Sequence, residues 1–182
     1  MRALLDANVL YPTILREILS DLAWAGLFQP LWSARILAEW RHAAARLGDE
    51  AAAVAGAEIA LLRLRFAQAE CDGQGIAAID LDFPDPSDRH VVEAALAGRA
   101  DLIVTANLRD FPPRIMAGLG LRAIHPDAFL LELHRRNPVA VRAALEAARA
   151  RVSALGGGMD MAEMLKRCRL PRLARAVKIE PG

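Results

Sequence analysis

The sequence predicts an α/β fold with a mostly parallel sheet, followed by a helical region. Three observations predict it. Short apolar runs alternate, over the first 125 residues, with longer segments whose apolar residues recur at helical spacing. The run Leu102-Ile-Val104 shows no polar alternation, as expected of a strand covered on both faces. Beyond Pro126 the strand pattern stops and only helical periodicity continues.

Residues 2–5 form a short apolar run that ends at Asp6 and predict a buried first strand. Pro12 then opens a helix with the stripe Ile14, Leu15, Ile18, Leu19 and Leu22, closed by Gly26. Ser33 is the expected N-cap of the next helix, with Ile36, Leu37, Trp40, Ala44 and Leu47 as its buried face and Gly48 as its stop. An Ala-rich segment from Asp49 to Glu70, with Ile59, Leu62 and Phe66, predicts a third helix. Gly73 and Gly75 break the chain before a second short strand at 76–79. In the acidic, proline-containing stretch that follows, Asp85 is the expected N-cap and Pro86 the first residue of a helix. Asp88 then falls in the first turn, and Val91, Val92, Ala95 and Leu96 form the apolar face before Gly98. Residues 101–105 predict a third strand and 121–124 a last one. Helices are expected at 127–135, 138–154 and 159–169, separated by Asn137-Pro138 and the glycines at 156–158.

With 54% hydrophobic residues among 182, the chain has ample material for a core, and disorder is excluded. No apolar run approaches the roughly 18–20 residues that span a bilayer, and the early acid Asp6 is unlike a signal peptide, so a cytoplasmic protein is expected. Cys71 and Cys168 are too few and too far apart for a disulfide framework or a zinc site. Twenty-three basic residues against 22 acidic ones leave no chain-wide positive field, so nucleic-acid binding does not follow from net charge. The distribution is uneven: Lys166, Arg167, Arg169, Arg172, Arg175 and Lys178 are interrupted by no acid. Leu165, Leu170 and Leu173 interleave with them, which predicts a packed helix with a solvated basic face, RNA binding being the other reading of the run.

Parallel α/β sheets place their sites at the carboxyl ends of the strands. Asp6 follows the first strand directly, Asp88 opens the helix after the second, and Asp110 follows the third by a few residues. Glu39 lies beside the apolar stripe of Ile36 and Trp40 and can reach inward at its edge. Carboxylates gathered at one edge repel unless they share a cation, and an all-oxygen site selects Mg²⁺ or Mn²⁺. Such a site activates water and stabilises a departing phosphodiester oxygen. Asn8 is placed to hydrogen-bond a ligating carboxylate. His90, beside Asp88, is expected to be a helix histidine with local hydrogen bonds.

The segments LLDANVLYP, WSARILAEW, DPSDRHVVEAAL and ADLIVTANLRDFP together resemble, in order and spacing, those of the PIN-domain family, in particular the bacterial VapC-like toxin ribonucleases. The resemblance covers about residues 1–125. It implies a PIN-like α/β/α sandwich around a central, mostly parallel sheet in residues 1–125, with residues 126–182 as a C-terminal helical extension. It implies a Mg²⁺- or Mn²⁺-dependent endoribonuclease whose four acids are Asp6, Glu39, Asp88 and Asp110, with Asp6, Asp88 and Asp110 on the metal. Asn107 stands where many PIN proteins carry an acid, so Asp110 is taken as the fourth acid and Asn8, Thr105 and Asn107 as supporting residues. The expected products carry a 5′-phosphate and a 3′-hydroxyl. The expected partners are an RNA substrate, a cognate antitoxin lying over the acidic groove, and a second copy of the chain. Arg35, Arg41, Arg89, Arg109 and Arg114 flank the motifs and are the candidate phosphate contacts.

The alternative is a PIN-like module that binds RNA or a protein without turnover; the presence of Asp6, Glu39 and Asp88 argues against it. An aspartyl phosphotransferase with Asp6 as nucleophile would need a second Asp two residues on, where this chain has Asn8. Dinucleotide binding is excluded because no Gly-x-Gly-x-x-Gly follows the first strand.

Overall fold

The computed structural model describes residues 1–71, 86–154, 156 and 158–179. The strand expected at 76–79 and the N-cap expected at Asp85 lie outside the described residues. Among the described residues, four strands form one parallel sheet in the order β2-β1-β3-β4: β1 (Arg2–Leu5), β2 (Gln29–Leu31), β3 (Leu102–Val104) and β4 (Ala123–Ile124). In register, Leu4 of β1 stands between Leu31 of β2 and Ile103 of β3, and Val104 stands beside Ile124. Ala3, Leu4 and Leu5 of β1 and all of β3 are buried, so side chains on both faces of the central strands are covered. This is the α/β class with a parallel sheet that the sequence predicts.

The helices follow in chain order. Helices α1 (Ala7–Leu10) and α2 (Thr13–Trp24) follow β1; α3 (Ala34–Ala45) and α4 (Asp49–Arg65) follow β2. A 3₁₀ turn at Pro86–Asp88 leads into α5 (Arg89–Ala97). Between β3 and β4 come a 3₁₀ turn at Leu108–Asp110 and α6 (Pro113–Gly118). The chain then runs through α7 (Pro126–Arg136), α8 (Pro138–Ala154), α9 (Met161–Arg167) and α10 (Pro171–Ile179).

Two compact units result, and they are not sequential. One comprises Met1–Tyr11 and Phe28–Ile124; the other comprises Pro12–Leu27 and His125–Gly182, so α2 groups with α7–α10. In the first unit, Ser33 caps α3 by accepting a hydrogen bond from the Ile36 amide at 3.2 Å, and Ile36, Leu37, Trp40 and Ala44 are buried as expected. Leu47 is not part of that face: α3 ends at Ala45, and Leu47 is 74% exposed just before Gly48, whose φ is +119°. Helix α4 stops at Arg65, short of the expected Glu70, and carries apolar residues on two faces. Ile59 and Leu62 are buried, whereas Val54, Leu61 and Leu64 are exposed. Gly98, which ends α5, has no room for a side chain: a Cβ there would lie 2.9 Å from the Leu31 side chain. In the second unit α2 packs on α8, where Arg151 bonds both Glu17 at 2.8 Å and Asp21 at 2.6 Å. The basic run expected to form one packed helix is divided between α9 and α10. Arg169 turns the chain with φ +57°, and Pro171 begins α10 at a position where its missing N–H costs nothing.

Candidate active site

The site is built where the chain reverses its direction of travel across the sheet. From β1 the chain passes to β2 on one side and later to β3 on the other, which makes the carboxyl edge of β1 and β3 the switch point of a parallel sheet. Asp6 and Thr105 are the next residues after these two strands, and the Asp6 amide donates to the Val104 carbonyl at 3.1 Å. Asp6 also occupies the N-cap position of α1, but its carboxylate does not cap the helix. It turns instead to Thr105, whose Oγ1 donates to Oδ2 at 2.7 Å, and to Asn8, whose Nδ2 donates to the same oxygen at 2.6 Å. Asn8 Nδ2 lies 3.0 Å from Thr105 Oγ1, and Asn8 Oδ1 accepts from the Ala106 amide at 2.9 Å. Thr105 Oγ1 in turn accepts from the Asn107 amide at 3.1 Å. The Asn107 side chain donates to Asp110 Oδ2. Six residues, Asp6 among them, from two segments distant in sequence thus form one connected network.

Asp6 is buried, and burial pushes its pKa above the ordinary value; hydrogen bonds from Thr105, Ala7 and Asn8 oppose the rise, and the charge of Asp110 adds to it. Glu39, half-buried on α3, is also raised by burial, with Arg35 opposing and Asp6 reinforcing the shift. Asp6 therefore feels the charge of Asp110, and Glu39 that of Asp6. Glu39 Oε1 lies 2.8 Å from His90 Nε2 and 3.5 Å from Arg35 Nε. Burial and the charge of Arg35 pull the His90 pKa down to about 4, so near neutral pH the imidazole donates to Glu39 without bringing a positive charge. Among the described residues, its Nδ1 is buried without a hydrogen-bond partner.

A PIN domain model matches residues 2–109, more than half of the chain. The chain belongs to the PIN-domain family. A 45-residue stretch of this PIN protein is 49% identical to the protein named "Putative ribonuclease VapC50" of Mycobacterium tuberculosis; the stretch is 25% of this chain and 27% of that relative. The chain thus matches about a quarter of the relative's length. No solved structure matches.

Within this PIN domain, Asp6, Asn8, Glu39, Asp88, Thr105 and Asn107 fall inside the matched residues, and Asp110 lies one residue beyond them. Asp88 is half-buried at the N-cap position of α5, two residues before His90, and makes no capping hydrogen bond. Among the described residues, no three His, Cys, Asp or Glu side chains are gathered tightly enough to hold an ion as they stand. Of the candidate RNA contacts, Arg35 is engaged by Glu39 and Arg89 by Glu93 at 3.0 Å, while Arg41, Arg109 and Arg114 are exposed. The residue that sequence reasoning placed in a purely local role is His90. The signal that could have found it was its position, in the first turn of the helix that Asp88 precedes and on the apolar side beside Val91.

Proposed function

We propose that this PIN protein is a metal-dependent endoribonuclease, the toxin of a toxin–antitoxin pair. One observation carries the reading. Among the described residues, Asp6 is a buried carboxylate held by neutral donors, in the field of two further carboxylates, at the switch point of a parallel sheet. A buried carboxylate without a cationic partner is costly, and a divalent cation relieves it. The donor set of Asp6, Asp88 and Asp110 is all oxygen, which suits Mg²⁺ or Mn²⁺, and Glu39 is the remaining acid, binding metal or positioning water. When bound, such an ion lowers the pKa of water and stabilises the leaving oxygen of a phosphodiester. The chain's own residues supply the order: Thr105 and Asn8 fix the Asp6 carboxylate, Asn107 restrains Asp110, and neutral His90 orients Glu39. Hydrolysis would leave a 5′-phosphate and a 3′-hydroxyl.

The ribonuclease named among the relatives supports RNA as the substrate. The VapC-like motifs support an antitoxin partner and a homodimer. This reading entails a cytoplasmic setting; no helix among the described residues is long and apolar enough to cross a membrane.

The test is cleavage of structured RNA by antitoxin-free protein in Mg²⁺ or Mn²⁺ against EDTA, beside Asp6→Asn and Asp88→Asn. Cleavage that needs metal and falls to the EDTA level in both variants is expected. Folded, metal-supplied protein that binds RNA but cuts none of several RNA pools would make it a binding module instead.

A further inference from the structure

The second unit holds a cavity of about 520 Å³, within the size range of pockets that take a small organic molecule. Its walls draw on α7, α9 and α10. Three cations line it, Lys166, Arg169 and Lys178; all three are exposed and have no acidic partner among the described residues. Many other basic side chains of the chain are paired: Arg151 with Glu17 and Asp21, Arg149 with Glu146, Arg167 with Glu163. One carboxylate, Asp127, also lines the cavity, but both its oxygens already accept at 3.0 Å from the Arg172 and Leu173 amides at the start of α10. His125 turns its Nδ1 to the Asp127 amide at 3.2 Å. The rest of the wall is apolar, from Ala162, Pro171 and Ala174. The cavity thus joins an excess of uncommitted positive charge to a small apolar surface.

We infer that this cavity binds one nucleotide of an RNA strand, its phosphate between Lys166, Arg169 and Lys178 and its base against Ala162, Pro171 and Ala174. The inference rests on the ribonuclease reading above. An acidic catalytic site repels a polyanion, so affinity for RNA must come from cations placed elsewhere, and two of the arginines flanking the motifs are already engaged by glutamates. A nucleotide carries both features the cavity matches, a localised anion and a flat, largely apolar body. An acidic peptide would use the charge and leave the apolar wall bare.

The experiment uses the full chain in EDTA, which separates binding from cleavage, with a fluorescent single-stranded RNA titrated at several salt concentrations. Lys166→Ala/Lys178→Ala is compared with Arg136→Ala/Arg175→Ala, which removes equal charge from exposed positions outside the cavity. The cavity pair is expected to weaken binding at least ~10-fold and to flatten the log K against log salt slope by about 1.4, as two lost phosphate contacts on a single strand imply. The control pair is expected to cost under about 3-fold, and Lys166→Arg/Lys178→Arg to restore affinity. Equal losses in both pairs, or unchanged binding in the cavity pair, would overturn the inference. So would polyglutamate binding that depends on the cavity lysines while RNA binding does not, since that marks an acidic protein as the occupant. If the wild type cleaves RNA through Asp6 and the cavity pair still binds normally, only this inference falls; if the wild type neither binds nor cleaves RNA, both readings fall.

Discussion

Burial holds the Asp6 pKa above its ordinary value, so ionising this carboxyl in the metal-free fold has a measurable cost. Its folded pKa lies above the ordinary 3.8, so between these two values the folded chain binds more protons than the unfolded one. Stability of the metal-free protein therefore falls as pH rises through that window. Asp6→Asn, which keeps an oxygen to accept from Thr105, is expected to raise the melting temperature in EDTA at pH 7, with the gain vanishing below about pH 4. Mg²⁺ is expected to raise the melting temperature of the wild type and leave that of Asp6→Asn unchanged; equal shifts would remove Asp6 from the metal site. Thr105→Val removes the hydroxyl that joins Asp6, Asn8 and the Asn107 amide, and is expected to lower metal affinity or cleavage by roughly 10–100-fold. Calorimetric Mg²⁺ titration and initial rates measure the two.

At the level of elements, helix α4 separates burial from hydrophobicity. Leu62→Ala is expected to destabilise by about 2–5 kcal/mol in denaturant unfolding, while Leu64→Ala, three-quarters exposed, stays within about 0.5 kcal/mol. Ser33→Ala, which removes the cap of α3, is expected to cost about 1 kcal/mol in the same assay. These elements also mark how far the sequence could be read. Strands β1 and β3 were legible because residues 3–5 and Leu102–Val104 are buried on both faces and uniformly apolar. Strand β2 was not: it is three residues, Gln-Pro-Leu, with at its centre a proline, a residue that strands seldom carry. Leu47 was misplaced because periodicity does not see that α3 ends two residues earlier. In the candidate site, Asp6 and Asn8 were legible from their adjacency to β1. The contact between Glu39 and His90 was not, because it joins α3 to α5 across 51 positions and no local pattern encodes it.

For the whole molecule, the interleaving of the two units sets a limit on dissection. The stripe Leu15, Ile18, Leu19 and Leu22 is buried, and α2 packs on α8. A chain cut after Ile124 retains α2 without α8, and is expected to aggregate or unfold at a lower temperature than the full chain, as light scattering and circular dichroism would report. The second unit also carries its own pH dependence. Burial lowers the His125 pKa, with Asp127 opposing and Arg169 reinforcing the shift, so below the ordinary value of 6.5 the unfolded chain binds more protons. Stability is thus expected to decline as pH falls from about 6.5, and protonation at Nδ1 would remove the acceptor that caps α7. His125→Asn, another capping residue, should flatten that part of the profile in thermal melts at pH 5–7.

The pairing of β1 with β3 has a consequence in time. Thr105 and Asp6 bond across 99 positions, and the sheet between them is parallel, so no hairpin can bring them together early. At the ribosome's pace of ~5–20 residues per second, Asp6 waits roughly 5–20 s for Thr105 to be made. During that interval the nascent chain has an aspartate but no site, and the acidic edge comes into being in one late step of chain closure.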